Sequence, residues 1–122
     1  MSRADRIAQY IERQYVAEDG TARENAEALF ARDFVYHRGG ETLNREDLIE
    51  GVFALRQSLS AGRRVVASGF EENGDAVTWR LSATLPEMGE DGNALVQESH
   101  IRAVFNTNDR IRKAWSEDVT TE

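Results

Sequence analysis

The sequence predicts an α+β domain whose helices pack against an antiparallel sheet, and three observations predict it. Helix caps and apolar stripes at helical spacing fill roughly the first sixty positions. Alternating runs of strand formers fill the rest, punctuated by the turn signals Asn73-Gly74 and Asn108-Asp109. The two kinds of segment are segregated along the chain, which argues against an alternating βαβ fold.

The helices come first. Ser2-Arg3-Ala4-Asp5 pairs an N-cap with an acid three residues on, so side chains can satisfy free N–H groups at a helix start. Ile7, Tyr10, Ile11 and Gln14-Tyr15 then recur at helical spacing until Asp19-Gly20 breaks the pattern. Thr21-Ala22-Arg23-Glu24 is a second capping box, and Ala22, Ala26, Leu29 and Phe30 make one apolar stripe. Phe34-Val35-Tyr36-His37 reads as a short strand ended by Gly39-Gly40, with Phe34, Tyr36 and Arg38 on one side and Val35 and His37 on the other. Asn44-Arg45-Glu46-Asp47 opens a third helix with the stripe Leu48, Ile49, Val52, Phe53 and Leu59, which Ala61-Gly62 closes.

Four long strands follow. Arg64 to Glu72 and Ala76 to Leu85 flank Asn73-Gly74, a dipeptide suited to a two-residue hairpin because both residues tolerate positive φ. The second run sets Val77, Trp79, Leu81 and Ala83 against Thr78, Arg80, Ser82 and Thr84. Pro86 to Gly92 is an acidic loop, and Leu95 to Thr107 and Ile111 to Asp118 flank Asn108-Asp109.

One domain spanning 1–122 suits this length, and about two-thirds of its unfolded surface can be buried. Forty per cent hydrophobic and 30% charged residues exclude a disordered or fibrous chain. The longest apolar run, Gly51 to Leu55, is far too short to span a bilayer, and Arg3 to Arg6 offer no signal-peptide core. A cytoplasmic protein with no membrane partner is expected. A net charge of −7 lacks the basic footprint of a nucleic-acid binder. Arg63-Arg64 and Arg110-Ile111-Arg112-Lys113 read as solvated strand ends. The absence of cysteine removes disulfides, thiol nucleophiles and sulfur-ligated zinc, and two histidines, His37 and His100, are too few for a zinc site built on several.

The order of elements, with Tyr10-Ile11, the segment Ala28 to His37, Leu48-Ile49-Glu50-Gly51 and the closing string His100 to Phe105, Ile111 and Trp115, resembles the nuclear transport factor 2-like superfamily in its SnoaL-like branch. The resemblance covers nearly the whole chain. It implies a cone: a curved antiparallel or mixed sheet wrapped around three N-terminal helices, with an apolar pocket at the open end and, in many members, a homodimer through the outer face of the sheet. It also implies chemistry that needs no metal or organic cofactor, because a dry pocket strengthens each charge and hydrogen bond inside it. The scaffold hosts isomerases, cyclases, dehydratases, epoxide hydrolases and non-catalytic binders, so it does not choose among them.

Residue by residue, the resemblance is partial. Tyr10 matches the substrate-holding tyrosine of the ketosteroid isomerase relatives, while their base aspartate falls on Arg38, which cannot be a base. Arg80 resembles the arginine of the limonene epoxide hydrolases, but their aspartate two residues on is Ser82 here. Glu117 or Asp118 could supply a last-strand carboxylate, as in SnoaL-like cyclases. Dehydratase relatives place a histidine in a part of the sheet comparable to His100, with tyrosines across from it, a part for Tyr10 and Tyr36.

His100 shares one face of its strand with Val96, Glu98, Arg102 and Val104. If that face lines the pocket, His100 is a general acid–base group near neutral pH; if it points outward, the triplet is a surface or interface network. His37 is a pocket residue or a strand-bonded histidine, and Trp79 and Trp115 are core or pocket wall. Arg38, Arg80 and Arg102 together would suit an anionic ligand. The sequence therefore supports a small-molecule pocket protein in which His100, Tyr10 and Asp118 do acid–base work while Tyr36, His37, Arg38, Trp79, Arg80, Arg102, Trp115 and Glu117 bind substrate. The alternative is a non-catalytic ligand-binding or dimerisation module of the same fold.

Overall fold

A computed structural model describes residues 1–58, 64–85 and 95–121. The elements are α1 (Arg3–Ile11), a π-helical turn (Glu12–Val16), α2 (Ala22–Leu29), β1 (Phe30–Arg38), β2 (Glu41–Asn44), α3 (Arg45–Ser58), β3 (Arg64–Asn73), β4 (Ala76–Leu85), β5 (Leu95–Phe105) and β6 (Ile111–Thr121). The strands form one mixed sheet in the order β2-β1-β6-β5-β4-β3. Every neighbouring pair is antiparallel except β1 and β6, which run parallel. This is the expected α+β cone, with the helices on one side of the sheet. No described helix is long and apolar enough to cross a membrane.

Local chemistry explains the starts of the helices. Asp5 N–H donates to Ser2 Oγ at 3.0 Å and Ser2 N–H donates back to Asp5 Oδ2 at 3.2 Å, so both cap partners are satisfied. Glu24 N–H donates to Thr21 Oγ1 at 3.0 Å, and Asn44 and Asp47 bond reciprocally at 2.9 and 2.8 Å. Ile7, Tyr10 and Ile11 of α1 and Ala22, Ala26 and Leu29 of α2 are buried, as their stripes require.

Four expectations need correction. The first helix does not continue as α through Tyr15 but widens, so that Ala17 N–H reaches back five residues to Glu12 O at 2.8 Å. β1 starts at Phe30, directly after α2, and turns through Gly39-Gly40 into β2, a strand that polar Glu41-Thr42-Leu43-Asn44 did not announce. On α3, Leu48, Ile49 and Val52 face inward, but Phe53 is 58% exposed because it lies about 100° around the helix from Val52. The β3–β4 loop is Gly74-Asp75, Asn73 being paired with Ala76, and its positive φ sits at Gly74 alone. Leu59, Ala61-Gly62, Arg63 and the Pro86 to Gly92 loop lie outside the described residues.

The last hairpin turn is built by Asn106, whose Oδ1 accepts from Asn108 N–H at 2.9 Å and Arg110 N–H at 3.0 Å. It holds Asp109 at φ 61°. There Asp109 receives Arg3 Nε at 2.7 Å and Arg6 Nη1 at 2.9 Å, which fastens α1 to the β5–β6 turn.

Candidate functional site

Alternation along the strands decides what faces the helices. On β4, Trp79, Leu81 and Ala83 point inward, opposite Ile101, Ser99 and Gln97 of β5. On β1, Phe34, Tyr36 and Arg38 point the same way, and on β6 so do Ala114, Ser116 and Asp118. Between this face and α3 lies a hollow of about 280 Å³ bordered by Tyr15, Tyr36, Arg38, Ser99 and Asp118, with Leu48, Val52 and Leu55 as its apolar wall. Tyr15, Tyr36, Leu48 and Leu81 also border a smaller space of about 70 Å³ lined almost wholly by carbon.

The polar groups of the hollow are tied to one another. Arg38 Nε sits 3.0 Å from Asp118 Oδ2, and the aspartate side chain is only 21% exposed. Burial pushes the Tyr36 hydroxyl above the usual phenol range, and the neighbouring Asp118 charge adds to the effect. Burial likewise raises Tyr15, and raises Tyr10 strongly, with the adjacent phenol contributing. All three tyrosines are therefore protonated donors at neutral pH.

The π-helical turn supplies Tyr15, and a buried polar network holds that turn. Gln14 is fully buried; its Nε2 donates to Ala22 O at 3.1 Å and to the Tyr10 hydroxyl at 3.4 Å, and its Oε1 accepts from Asn25 Nδ2 at 3.0 Å. The indole N–H of Trp79 is buried with no partner among the described residues.

The other side of the sheet carries a wider and more open groove of about 410 Å³. Two cross-strand rows make it: Arg80, His100 and Glu117, and beside them Thr78, Arg102 and Trp115. The Arg102 guanidinium lies 5.3 Å and the Lys113 ammonium 5.2 Å from the Trp115 ring, and His37 stacks on that ring at 6.2 Å. Among the described residues, no three His, Asp or Glu side chains converge as a metal site.

No family model and no curated protein matches this sequence. Solved structures do match. IdmH of Streptomyces antibioticus, provisionally assigned as a polyketide cyclase, shares 18% identity over 97% of this chain and 92% of its own, with a TM-score of 0.71. A provisionally assigned SnoaL-like isomerase from Agrobacterium tumefaciens shares 20% over 95% and 97%, with a TM-score of 0.69. A provisionally assigned SnoaL-like polyketide cyclase from Jannaschia shares 14% over 95% and 84%, with a TM-score of 0.73. The fold is the nuclear transport factor 2-like fold. At these identities the likeness is one of architecture, and activity has to be argued from the site.

Within this nuclear transport factor 2-like cone, the residues singled out from sequence divide between two faces. Tyr10, Tyr36, Arg38, Trp79 and Asp118 lie on the inner side, with Tyr10 at the deep end. His37, Arg80, His100, Arg102, Trp115 and Glu117 lie on the outer side. The face of β5 carrying Glu98, His100 and Arg102 is thus the outward one, so His100 borders the outer groove and not the hollow. Three titratable groups in a row stay solvated there, whereas Ser99 and Ile101 can be enclosed at small cost. Trp79 is core, but Trp115 is capped by cations on the outside. Sequence reasoning missed Tyr15, Ser99, Gln97 and Asp47 as hollow residues. Ser99 carried a usable signal, since it shares its face with Ile101 and Ala103.

Proposed function

We propose that the chain holds a small, partly apolar molecule in the hollow and acts on it as a cofactor-free acid–base enzyme of the isomerase, cyclase or dehydratase type. One observation carries the reading: Asp118, held by Arg38 at 3.0 Å, borders the same hollow as Tyr15 and Tyr36. In this scheme Asp118 takes a proton from a carbon beside a carbonyl. The electron pair moves onto the carbonyl oxygen, which the tyrosine hydroxyls stabilise by hydrogen bonds, and Asp118 returns the proton at a second position. Arg38 offsets the charge on the carboxylate before the proton is taken and after it is returned. The names of the structural neighbours support this class of reaction. Asp118→Asn is expected to lower turnover about 10²- to 10⁴-fold with the fold intact; unchanged turnover removes Asp118 from the mechanism.

A second reading, a non-catalytic binding module, draws on Arg38. It stands where the resemblance implies a catalytic aspartate, and its ion pair occupies Asp118. That reading predicts ligands that raise the melting temperature and are recovered unchanged.

A homodimer through the outer face suits either reading. Arg80 and Arg102 stand beside Glu98 and Glu117, so a two-fold axis can set unlike charges against each other. Sedimentation at micromolar concentration tests it, and a monomer there counts against it.

A further inference from the structure

We infer that the ligand of the hollow is an oxygen-bearing head with an alkyl tail about two or three carbons long, seated tail first. The inference rests on the ligand-binding reading above and adds the ligand's chemical class and orientation. It comes from the division of the hollow into two unlike compartments. The outer one, about 280 Å³, presents Arg38, Asp118, Ser99 and Gln97. The inner one, about 70 Å³, is closed by Ile11, Phe34, Trp79, Ile101, Ile111 and Ala114. Tyr15, Tyr36, Leu48 and Leu81 border both and form the neck.

Apart from the Trp79 indole N–H, which has no partner among the described residues, the inner compartment offers little to a polar group. The Tyr10 hydroxyl at its edge is already engaged by Gln14 at 3.4 Å and by Tyr15. A void walled by Ile, Phe and Trp does not hold water well, because a water needs two or more polar partners. Its empty state also forfeits dispersion contacts along every wall. A methyl or methylene group restores those contacts at no desolvation cost, whereas a carbonyl or hydroxyl there loses its hydrogen bonds to water. The polar end of the ligand is therefore left in the outer compartment, within reach of Asp118 and Arg38. The two compartments lie near the small end of the roughly 300–1,000 Å³ range of ligand pockets, which suits a single ring with a short chain.

Calorimetric titration with 4-alkylphenols from methyl to hexyl tests this. In the unaltered protein, affinity is expected to rise about fourfold per added carbon, then level off or fall once the tail exceeds about three carbons. Ala114→Val, which fills the inner end, should bring that break forward to methyl or ethyl. Ile101→Ala, which enlarges it, should delay the break by one or two carbons, so the two variants bracket the result even if one folds poorly. A break that stays fixed in both variants, affinity that climbs evenly to hexyl, or no binding by any member overturns the inference. The readout is affinity alone, so such a failure is separable from the turnover test of Asp118.

Discussion

Arg56 reaches Gln14 twice, through Nε to its backbone carbonyl and through Nη2 to its side-chain Oε1, both at 3.0 Å. The same guanidinium also donates to Arg13 O at 3.1 Å and Gly20 O at 2.9 Å. One side chain from α3 thus ties carbonyls of the π-helical turn to that of Gly20, and so fixes the segment that aims Tyr15 at the hollow. Arg56→Met keeps the apolar stem but removes four donated hydrogen bonds, and should destabilise the protein by about 2–4 kcal/mol in urea unfolding. A loss under about 0.5 kcal/mol would show that water replaces the guanidinium without cost.

The three tyrosines, which are all the tyrosines of the chain, should titrate together with unfolding. Burial is the first cause of the raised hydroxyls of Tyr10, Tyr15 and Tyr36. A folded-state value above the unfolded one, near 10, contributes stability that is complete below pH 10 and is lost as pH rises beyond it. Tyrosinate absorbance is expected to appear in step with loss of the circular dichroism signal. Three ordinary ionisations near pH 10 with the fold intact contradict the burial argument.

Asp109 behaves in the opposite sense at low pH. The hydrogen bond from Arg3 is the main cause of its lowered carboxyl, with the charge of Arg6 assisting. Its contribution is therefore present above the ordinary aspartate range near 3.9 and fades as pH falls through the lower folded value. The site is largely solvated, so the effect is local: amide exchange along α1 should accelerate below about pH 4 before the sheet loosens. Asp109→Asn should remove that step, and an unaltered exchange profile in the variant would count against the latch.

His100→Ala is expected to leave alkylphenol affinity and any turnover within about twofold, because the imidazole sits on the outer side, between Arg80 and Glu117 in register. A loss comparable to that of Asp118→Asn would return the histidine to the reaction.

Much of this fold is legible in the sequence. Caps at Ser2, Thr21 and Asn44 are short-range chemistry, and alternation in β4 and β5 gave the correct parity at Trp79 and His100. Parity alone does not say which face is enclosed. In β5 both faces carry polar groups, Gln97 and Ser99 on one and Glu98, His100 and Arg102 on the other, so only the cost of enclosing three titratable groups separates them. The first half of β1 was hidden because Ala31-Arg32-Asp33 has little strand propensity and follows α2 without a turn signal. Tyr15 enters the hollow through a π turn, and a 3.6-residue period cannot register the additional residue.

The parallel pairing of β1 with β6 joins Tyr36 to Ala114 and Arg38 to Ser116. A nascent chain can form its early helices and the β3–β4 hairpin on the ribosome, yet β1 and β2 remain without an inner neighbour until the segment after Ile111 has emerged. Such distant closure predicts a slow, late-committing folding reaction, during which a chaperone has its longest opportunity to engage the unpaired edge of β1.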